Sequence, residues 1–241
     1  MTKFYKDKQQ IIDWLDKHEV KNYTLIPDEK YGFIVNVNGN VDLSHKELIN
    51  IPVKFGEITG SFECNVNQLS SLEFSPKKVA DTFNCSYNKL TSLEFSPQIV
   101  GDNFCCNNNK LTSLKFSPKT VGGDFWCSNN KLTSLKFSPK IVNDSFDCSY
   151  NKLTSLEFCP QTVESNFNCS NNQLTSLEFC IQELDGNFYC EKNPKLKQIQ
   201  EITDFELIIL EHKKALITKF SDKLENELTN DSRKKTVKIK I

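Results

Sequence analysis

The sequence contains no apolar stretch that approaches the ~18–20 residues a membrane-spanning helix needs. Its N-terminus, MTKFYKDKQQ, lacks the apolar core of a secretory signal peptide. It also lacks an excess of either charge, with 30 Lys and Arg against 31 Asp and Glu. Nucleic acids and anionic membranes normally require a strong basic field. We therefore expect a cytoplasmic protein that binds neither nucleic acid nor a membrane.

Histidine is scarce in this chain of 241 residues. His18, His45 and His212 are far apart in sequence and lie in the two predicted caps and in the degenerate first coil described below. They form no triad and no metal-ligand cluster. We therefore expect a protein that is not an enzyme and that uses no metal and no cofactor.

Cysteine, by contrast, occurs ten times, and seven of the ten recur at one constant interval. Zinc sites usually pair cysteines two to four residues apart, which this much longer interval does not do. A reduced, buried thiol used once per structural unit fits the interval better, because buried cysteine behaves as a small apolar residue. The seven are Cys64, Cys85, Cys106, Cys127, Cys148, Cys169 and Cys190.

The same period governs most of the chain, and the segment GGDFWCSNNKLTSLKFSPKIV, residues 122–142, shows one unit. An earlier, degenerate copy holds the same offsets with Val41, Leu43, Leu48, Ile51 and Ile58. The other recurring positions are phenylalanine at 62, 83, 104, 125, 146, 167 and 188; asparagine at 67, 88, 109, 130, 151, 172 and 193; leucine at 69, 90, 111, 132, 153 and 174 and at 72, 93, 114, 135, 156 and 177; a second phenylalanine at 74, 95, 116, 137, 158 and 179; and an aliphatic residue at 79, 100, 121, 142, 163 and 184.

One unit predicts one coil of chain. Phe125 and Cys127 alternate with polar or outward residues, which indicates a short strand with one buried side. Asn130 suits the turn that follows, because its side chain can bond neighbouring backbone groups. Leu132 and Leu135 point inward, and SPK starts an irregular return segment. Each coil has about six inward apolar residues.

A single coil cannot fold alone. Six buried side chains supply roughly 9–18 kcal/mol, whereas fixing the backbone of the whole unit costs ~1–2 kcal/mol per residue. Stacked neighbours must add strand hydrogen bonds and shared burial, so the sequence predicts a solenoid with a parallel β ladder.

The stretch FWCSNNKLTSL resembles the leucine-rich repeat, with Phe and Cys in two of the usual leucine places. The 21-residue form with an SP return segment is similar to a variant in bacterial and bacteriophage proteins. The segment NGNVDLS…LINIPVKFG is similar to their N-terminal module. The resemblance covers about residues 33–200. It implies a curved ladder used for binding, without catalytic residues.

The two ends of the solenoid need caps, because open ladder edges invite pairing. Helical apolar spacing predicts a helix in the first segment, and a capping box at Thr203 predicts a second helix over about 204–228. Asn38-Gly39 predicts a tight turn that pairs an antiparallel strand at 33–37 with the first ladder strand at 41–43. The basic tail is an edge strand, a partner-binding tail or disordered. The segments are 1–32, an N-terminal helical cap; 33–200, about eight coils including the degenerate one; 201–228, a C-terminal helical cap; and 229–241, the tail.

The outward positions vary from coil to coil while the inward ones barely change. Exposed Trp and Tyr are typical anchors of protein interfaces, and we expect Tyr87, Trp126 and Tyr150 to stand close together on the ladder face. Cys105 is the one cysteine in an outward slot and is expected to be an ordinary surface thiol. Alternatively, the aromatic residues only cover the sheet. The predicted contact residues are Glu63, Tyr87, Cys105, Trp126, Asp147, Tyr150 and Tyr189.

These observations predict a non-catalytic, protein-binding scaffold, and the resemblance implies a phage or bacterial factor whose target is a host or phage protein. The alternative is a structural or self-assembling component, for example of a virion. The sequence identifies neither the partner nor the oligomeric state.

Overall fold

A computed structural model describes residues 4–177, 181, 183–194 and 196. No helix among these residues has the length and apolar character needed to cross a membrane. The elements in chain order are α1 (Lys8–Lys17), β1 (Tyr23–Asp28), β2 (Gly32–Val37), β3 (Val41–Asp42), β4 (Phe55–Ile58), β5 (Phe62–Glu63), β6 (Lys78–Val79), β7 (Phe83–Asn84), β8 (Ile99–Val100), β9 (Phe104–Cys105), β10 (Thr120–Val121), β11 (Phe125–Trp126), β12 (Ile141–Val142), β13 (Phe146–Asp147), β14 (Thr162–Val163), β15 (Phe167–Asn168), β16 (Glu183–Leu184) and β17 (Phe188–Tyr189).

The Phe-x-Cys segments form one continuous parallel sheet, which we call the front ladder. It joins β3, β5, β7, β9, β11, β13, β15 and β17 in that order. Each pairing places a residue opposite its equivalent in the next repeat unit, as in Phe62 with Phe83 and Phe104 with Phe125. The chain is therefore a parallel β-solenoid of about seven turns, and the predicted period of one coil per repeat unit is confirmed.

The return segments are more regular than the sequence predicted. Each contains a short strand, and these strands pair in parallel as β2-β4-β6-β8-β10 and as β12-β14-β16. In β6 the side chain of Val79 is buried while that of Lys78 is exposed, so the alternation of a strand is present even in this short element. We call these strands the return ladder.

The interior consists of columns of identical side chains. Phenylalanine rings stack from Phe62 to Phe188, with centroids of neighbouring rings 5.3–5.8 Å apart. The column cysteines lie two residues further along each coil and are buried thiols, as predicted. The inward leucines and the aliphatic residues of the return ladder complete one core that runs the length of the solenoid.

The asparagines hold each turn to its neighbours. The Asn130 Nδ2 group donates to the Cys106 carbonyl of the preceding coil at 3.0 Å and to the Cys127 carbonyl of its own coil at 3.2 Å. Its Oδ1 accepts the Leu111 N–H at 2.9 Å. One buried side chain therefore satisfies backbone groups of two coils, which confirms the predicted role of the column.

One of the six recurring apolar positions does not face inward. The second phenylalanine of the unit is 42–51% exposed in four coils, whereas Phe74 in the same column is buried, at 4% exposure. All five residues have a left-handed backbone, with φ of 68° to 78°, which turns the side chain away from the interior. Phe74 is nevertheless buried, because Phe4 and Tyr31 pack on its ring. The exposed residues are Phe95, Phe116, Phe137 and Phe158.

The N-terminal helix is present, but the segment around it differs from the prediction. Asp7 caps α1 by accepting the Gln10 N–H at 3.0 Å, and Ile11, Trp14 and Leu15 are buried in the common core. Residues 23–28, which the sequence assigned to a helical cap, form strand β1 instead.

The predicted pairing of strand 33–37 with 41–43 is wrong. Strand β2 pairs antiparallel with β1 and parallel with β4, whereas β3 pairs with β5. The Asn38-Gly39 turn does not reverse the chain into a hairpin but carries it from the return ladder to the front ladder. Segments 201–228 and 229–241 lie outside the described residues.

Candidate protein-binding surface

The front face is the outward surface of the front ladder together with the turn that follows each of its strands. Trp126, the second residue of β11, projects from this face and is 40% exposed. Tyr87 and Tyr150 occupy the turns after β7 and β13, where φ is 53° and 51°. They are 56% and 55% exposed. Three large aromatic side chains are thus presented to solvent by backbone that is hydrogen-bonded on both sides.

The three aromatic residues share one face but are not equally close. Trp126 and Tyr150 belong to adjacent coils, whereas Tyr87 lies two coils away from Trp126. At ~4.8 Å per rung, the three together span ~15 Å. The three side chains are therefore spread along the ladder and are not gathered at one rung.

The other predicted contact residues are distributed along the same ladder. Asp147 pairs in register with Trp126, is partly buried, and accepts the Ser149 N–H at 2.9 Å. Glu63 lies three rungs from Trp126, and partial burial raises the pKa of its carboxyl. Tyr189 stands on β17, the last described rung, and is 39% exposed.

Cys105 is not the surface thiol that the sequence predicted. It occupies the outward slot, but only 5% of the residue is exposed. Its register neighbours on the two sides are Asn84 and Trp126, whose longer side chains leave a short thiol little access to solvent. Burial raises the pKa of this thiol to about 12, so it is protonated and unreactive at neutral pH.

The front face is bordered by two columns of opposite charge, which sequence reasoning missed. Four of the turns after front strands end in a lysine, and most of the corners before those strands carry a carboxylate at one of two adjacent positions. These lysines and carboxylates recur in the sequence at the repeat spacing, but they form two charged columns only when the coils stack. The basic margin is formed by the exposed side chains of Lys89, Lys110, Lys131 and Lys152. The acidic margin is formed by those of Asp81, Asp102, Asp144, Glu164 and Asp185.

The residues that the structure describes contain no cluster of three or more His, Cys, Asp or Glu side chains able to hold a metal ion. Burial lowers the pKa of the Lys54 ammonium group to about 8. It lies beside the return ladder, away from the front face, and its Nζ donates to the Ser75 carbonyl at 2.7 Å.

Comparison of the chain with protein-family models, with curated proteins and with solved structures finds no match. The composition of the front face is therefore the basis for assigning a function. That face combines exposed aromatic side chains, a rigid backbone and flanking charges of both signs.

Proposed function

We propose that this chain is a non-catalytic scaffold that binds a protein partner through its front face. The observation that carries the proposal is the choice of residue at the left-handed turn. Three coils place Asn108, Asn129 and Asn171 there, which suits a positive φ. Two other coils place tyrosine at the same position, with more than half of the residue exposed. A bulky ring in this conformation costs free energy and lies mostly outside the core, so we assign its contribution to contact with a partner.

The front ladder supports binding because it is organised in advance. Its inner strands donate and accept backbone hydrogen bonds with both neighbouring coils, as when the Cys106 N–H bonds to the Trp126 carbonyl at 2.8 Å. A partner that meets such a surface loses little free energy in ordering it. The basic and acidic margins add orientation, since complementary charges steer a partner and reject the reversed pose.

The class of partner follows from the resemblance to bacterial and bacteriophage repeat proteins. On that basis we place the chain among phage or bacterial factors, with a host or phage protein as the target. The alternative is a structural unit that assembles through its ends. Light scattering after size-exclusion chromatography separates the two, because an assembling unit gains mass with concentration and a scaffold does not.

The test of binding uses Trp126→Ala combined with Tyr150→Asn. Affinity capture from bacterial lysate with the wild-type chain identifies the partner by mass spectrometry, and titration calorimetry then measures both chains. We expect the double variant to bind at least about tenfold more weakly, because aromatic anchors dominate interface energy. Asparagine is native to this turn in other coils, so the variant should fold.

The control is Thr133→Ala, which removes an exposed side chain away from the front face. It should bind as tightly as the wild type. A folded Trp126→Ala, Tyr150→Asn variant with wild-type affinity for the captured partner would show that the front face is not the contact surface.

A further inference from the structure

A second set of exposed aromatic residues lies on another side of the coil. Five of the described coils make a four-residue turn before the return ladder, closed in one case by the Ser138 N–H bonding to the Leu135 carbonyl at 2.9 Å. The third residue of that turn is Phe137, with φ of 78°. A positive φ at this position normally selects glycine or asparagine. The equivalent residues Phe95, Phe116, Phe137 and Phe158 are called the phenylalanine row.

The backbone of this turn makes hydrogen bonds between coils, whereas the phenylalanine ring is only partly packed against the protein. The Phe137 carbonyl accepts the Ser117 hydroxyl at 2.7 Å, and the Phe116 carbonyl accepts the Ser96 hydroxyl at 2.6 Å. Any residue would supply those carbonyls. The rings themselves are 42–51% exposed. A strained backbone position filled four times by a half-exposed apolar ring indicates a role outside the core.

The first member of the same column shows what such a ring does when it is covered. Phe74 has the same left-handed backbone, with φ of 74°, but only 4% of it is exposed. Phe4 packs on it with ring centroids 5.1 Å apart, and Tyr31 packs edge-on at 5.8 Å. Phe4 belongs to the segment before α1, where the next residue, Tyr5, donates its N–H to the Pro52 carbonyl at 2.8 Å. In this structure, a non-helical segment with aromatic side chains therefore buries one phenylalanine of this column.

The charges around the uncovered row differ from end to centre. Lys115 and Lys136 lie over the rings of Phe116 and Phe137, with Nζ to centroid distances of 4.8 Å and 5.4 Å. Four exposed lysines flank these two central rings in sequence, whereas Glu94 and Glu157 precede the outer rings Phe95 and Phe158. The four are Lys115, Lys119, Lys136 and Lys140. The positive charge beside the central rings therefore favours an occupant that carries negative charge.

The size of the row excludes a stable dimer built on it alone. Aromatic side chains bury 150–250 Å² each, so four half-exposed rings offer roughly 400 Å². A standard interface needs about 800 Å² from each partner. Four rungs span ~15 Å, which an extended chain covers with about five residues.

We propose that the phenylalanine row is a second docking surface, which binds an extended acidic segment of a partner protein whose aromatic side chains pack on Phe116 and Phe137. The surface is separate from the front face, since the Leu-x-x-Leu segment lies between them in every coil. The proposal therefore holds or fails independently of the front-face contact.

The test uses a labelled eight-residue peptide that alternates glutamate with phenylalanine, and fluorescence anisotropy with the full chain. We expect saturable binding that weakens with salt. The variant Phe116→Asn with Phe137→Asn should weaken it at least about tenfold, and asparagine suits the left-handed turn, so folding is preserved. The charge reversal Lys115→Glu with Lys136→Glu should weaken it to a similar extent while leaving both rings in place.

Two controls define the chemistry. Thr133→Ala should leave peptide binding unchanged, and a peptide with lysine in place of glutamate should not bind. The proposal is overturned if the wild type shows no saturable binding, or if the double asparagine variant binds equally well. It is also overturned if the wild type dimerises and the asparagine variant does not, because the row would then belong to a second copy of the chain.

Discussion

At the scale of single residues, the asparagine column bonds each described coil to its neighbour. Asn130 is 9% exposed and bonds to backbone groups of its own coil and of the preceding coil. Its neighbour Asn129 is exposed and has φ of 51°. Two adjacent residues of the same type therefore have different roles: Asn130 bonds to buried backbone groups, and Asn129 adopts the left-handed conformation that the turn requires.

We predict that Asn130→Ala lowers the free energy of unfolding by about 3 kcal/mol, because the buried Leu111 N–H and Cys106 carbonyl lose a partner. Equilibrium urea denaturation measures the change. The matched control is Asn129→Gly, which keeps a residue suited to the left-handed turn and should alter stability by less than about 0.5 kcal/mol. A loss below that same margin for Asn130→Ala would contradict the role assigned to the column.

The sequence was sufficient to predict the roles of Asn130 and of the buried cysteines, because both depend on a repeat that recurs at one spacing. It was not sufficient for Cys105. Alternation along β9 places that thiol outward, and outward normally means exposed. Whether it is reached by water depends on Asn84 and Trp126, which are neighbours in space but lie one whole repeat unit away in sequence on either side.

At the scale of one coil, two phenylalanines of the same unit have opposite effects on stability. Phe125 is fully buried and stacks between Phe104 and Phe146. Phe137 is 50% exposed and sits at φ of 78°. Residue type alone does not distinguish them, but the turn geometry does.

We predict that Phe125→Ala lowers the free energy of unfolding by about 3–5 kcal/mol, the usual range for a large buried side chain. Phe137→Asn should instead raise it by about 1 kcal/mol, because asparagine adopts the left-handed conformation with less strain. Thermal or urea denaturation of the two variants side by side measures both signs. If Phe137→Asn were as harmful as Phe125→Ala, the ring would have to contribute to the core.

The helices and strands of single coils were predicted from the sequence only in part. Strong periodicity predicted the coils, and apolar spacing predicted α1. Strand β1 was missed because its hydrophobic alternation is weak and its partner β2 was assigned elsewhere. The sequence Asn38-Gly39 suggested a hairpin, but the two flanking strands join different ladders, a choice that only the stacking of the whole solenoid decides.

At the scale of the whole molecule, the cysteine column ties stability to pH. Burial raises the pKa of each thiol in the column from Cys64 to Cys148, so the folded state keeps these protons in alkaline solution. The unfolded chain releases them above a pKa of about 8.5. Protons bound by the folded state and not by the unfolded state make stability fall as pH rises.

We predict that stability is unaffected by these thiols below about pH 8 and falls steeply above about pH 9. Each thiol contributes about 1.4 kcal/mol per pH unit in that range, so these five contribute about 7 kcal/mol per pH unit. Lys54, whose pKa burial lowers to about 8, acts in the opposite direction as a single group. Urea midpoints at pH 7, 8.5 and 10 measure the slope. Burial also raises the pKa of Cys105, Cys159 and Cys190, so Cys106→Ala should reduce the slope by about one eighth. Constant stability from pH 8 to 10 would contradict a buried thiol column.

Identical interiors in successive coils also bear on how such a chain changes during evolution. If recombination in the gene duplicates or removes one repeat unit, the new junction joins two coils whose buried residues already match. The molecule thus grows or shrinks in fixed increments of ~4.8 Å, without a new interior having to be selected. A repeat unit inserted between Tyr87 and Trp126 moves the two rings apart by one rung. A change in the number of units therefore alters the spacing of the exposed aromatic side chains, while the stacking energy per coil stays the same.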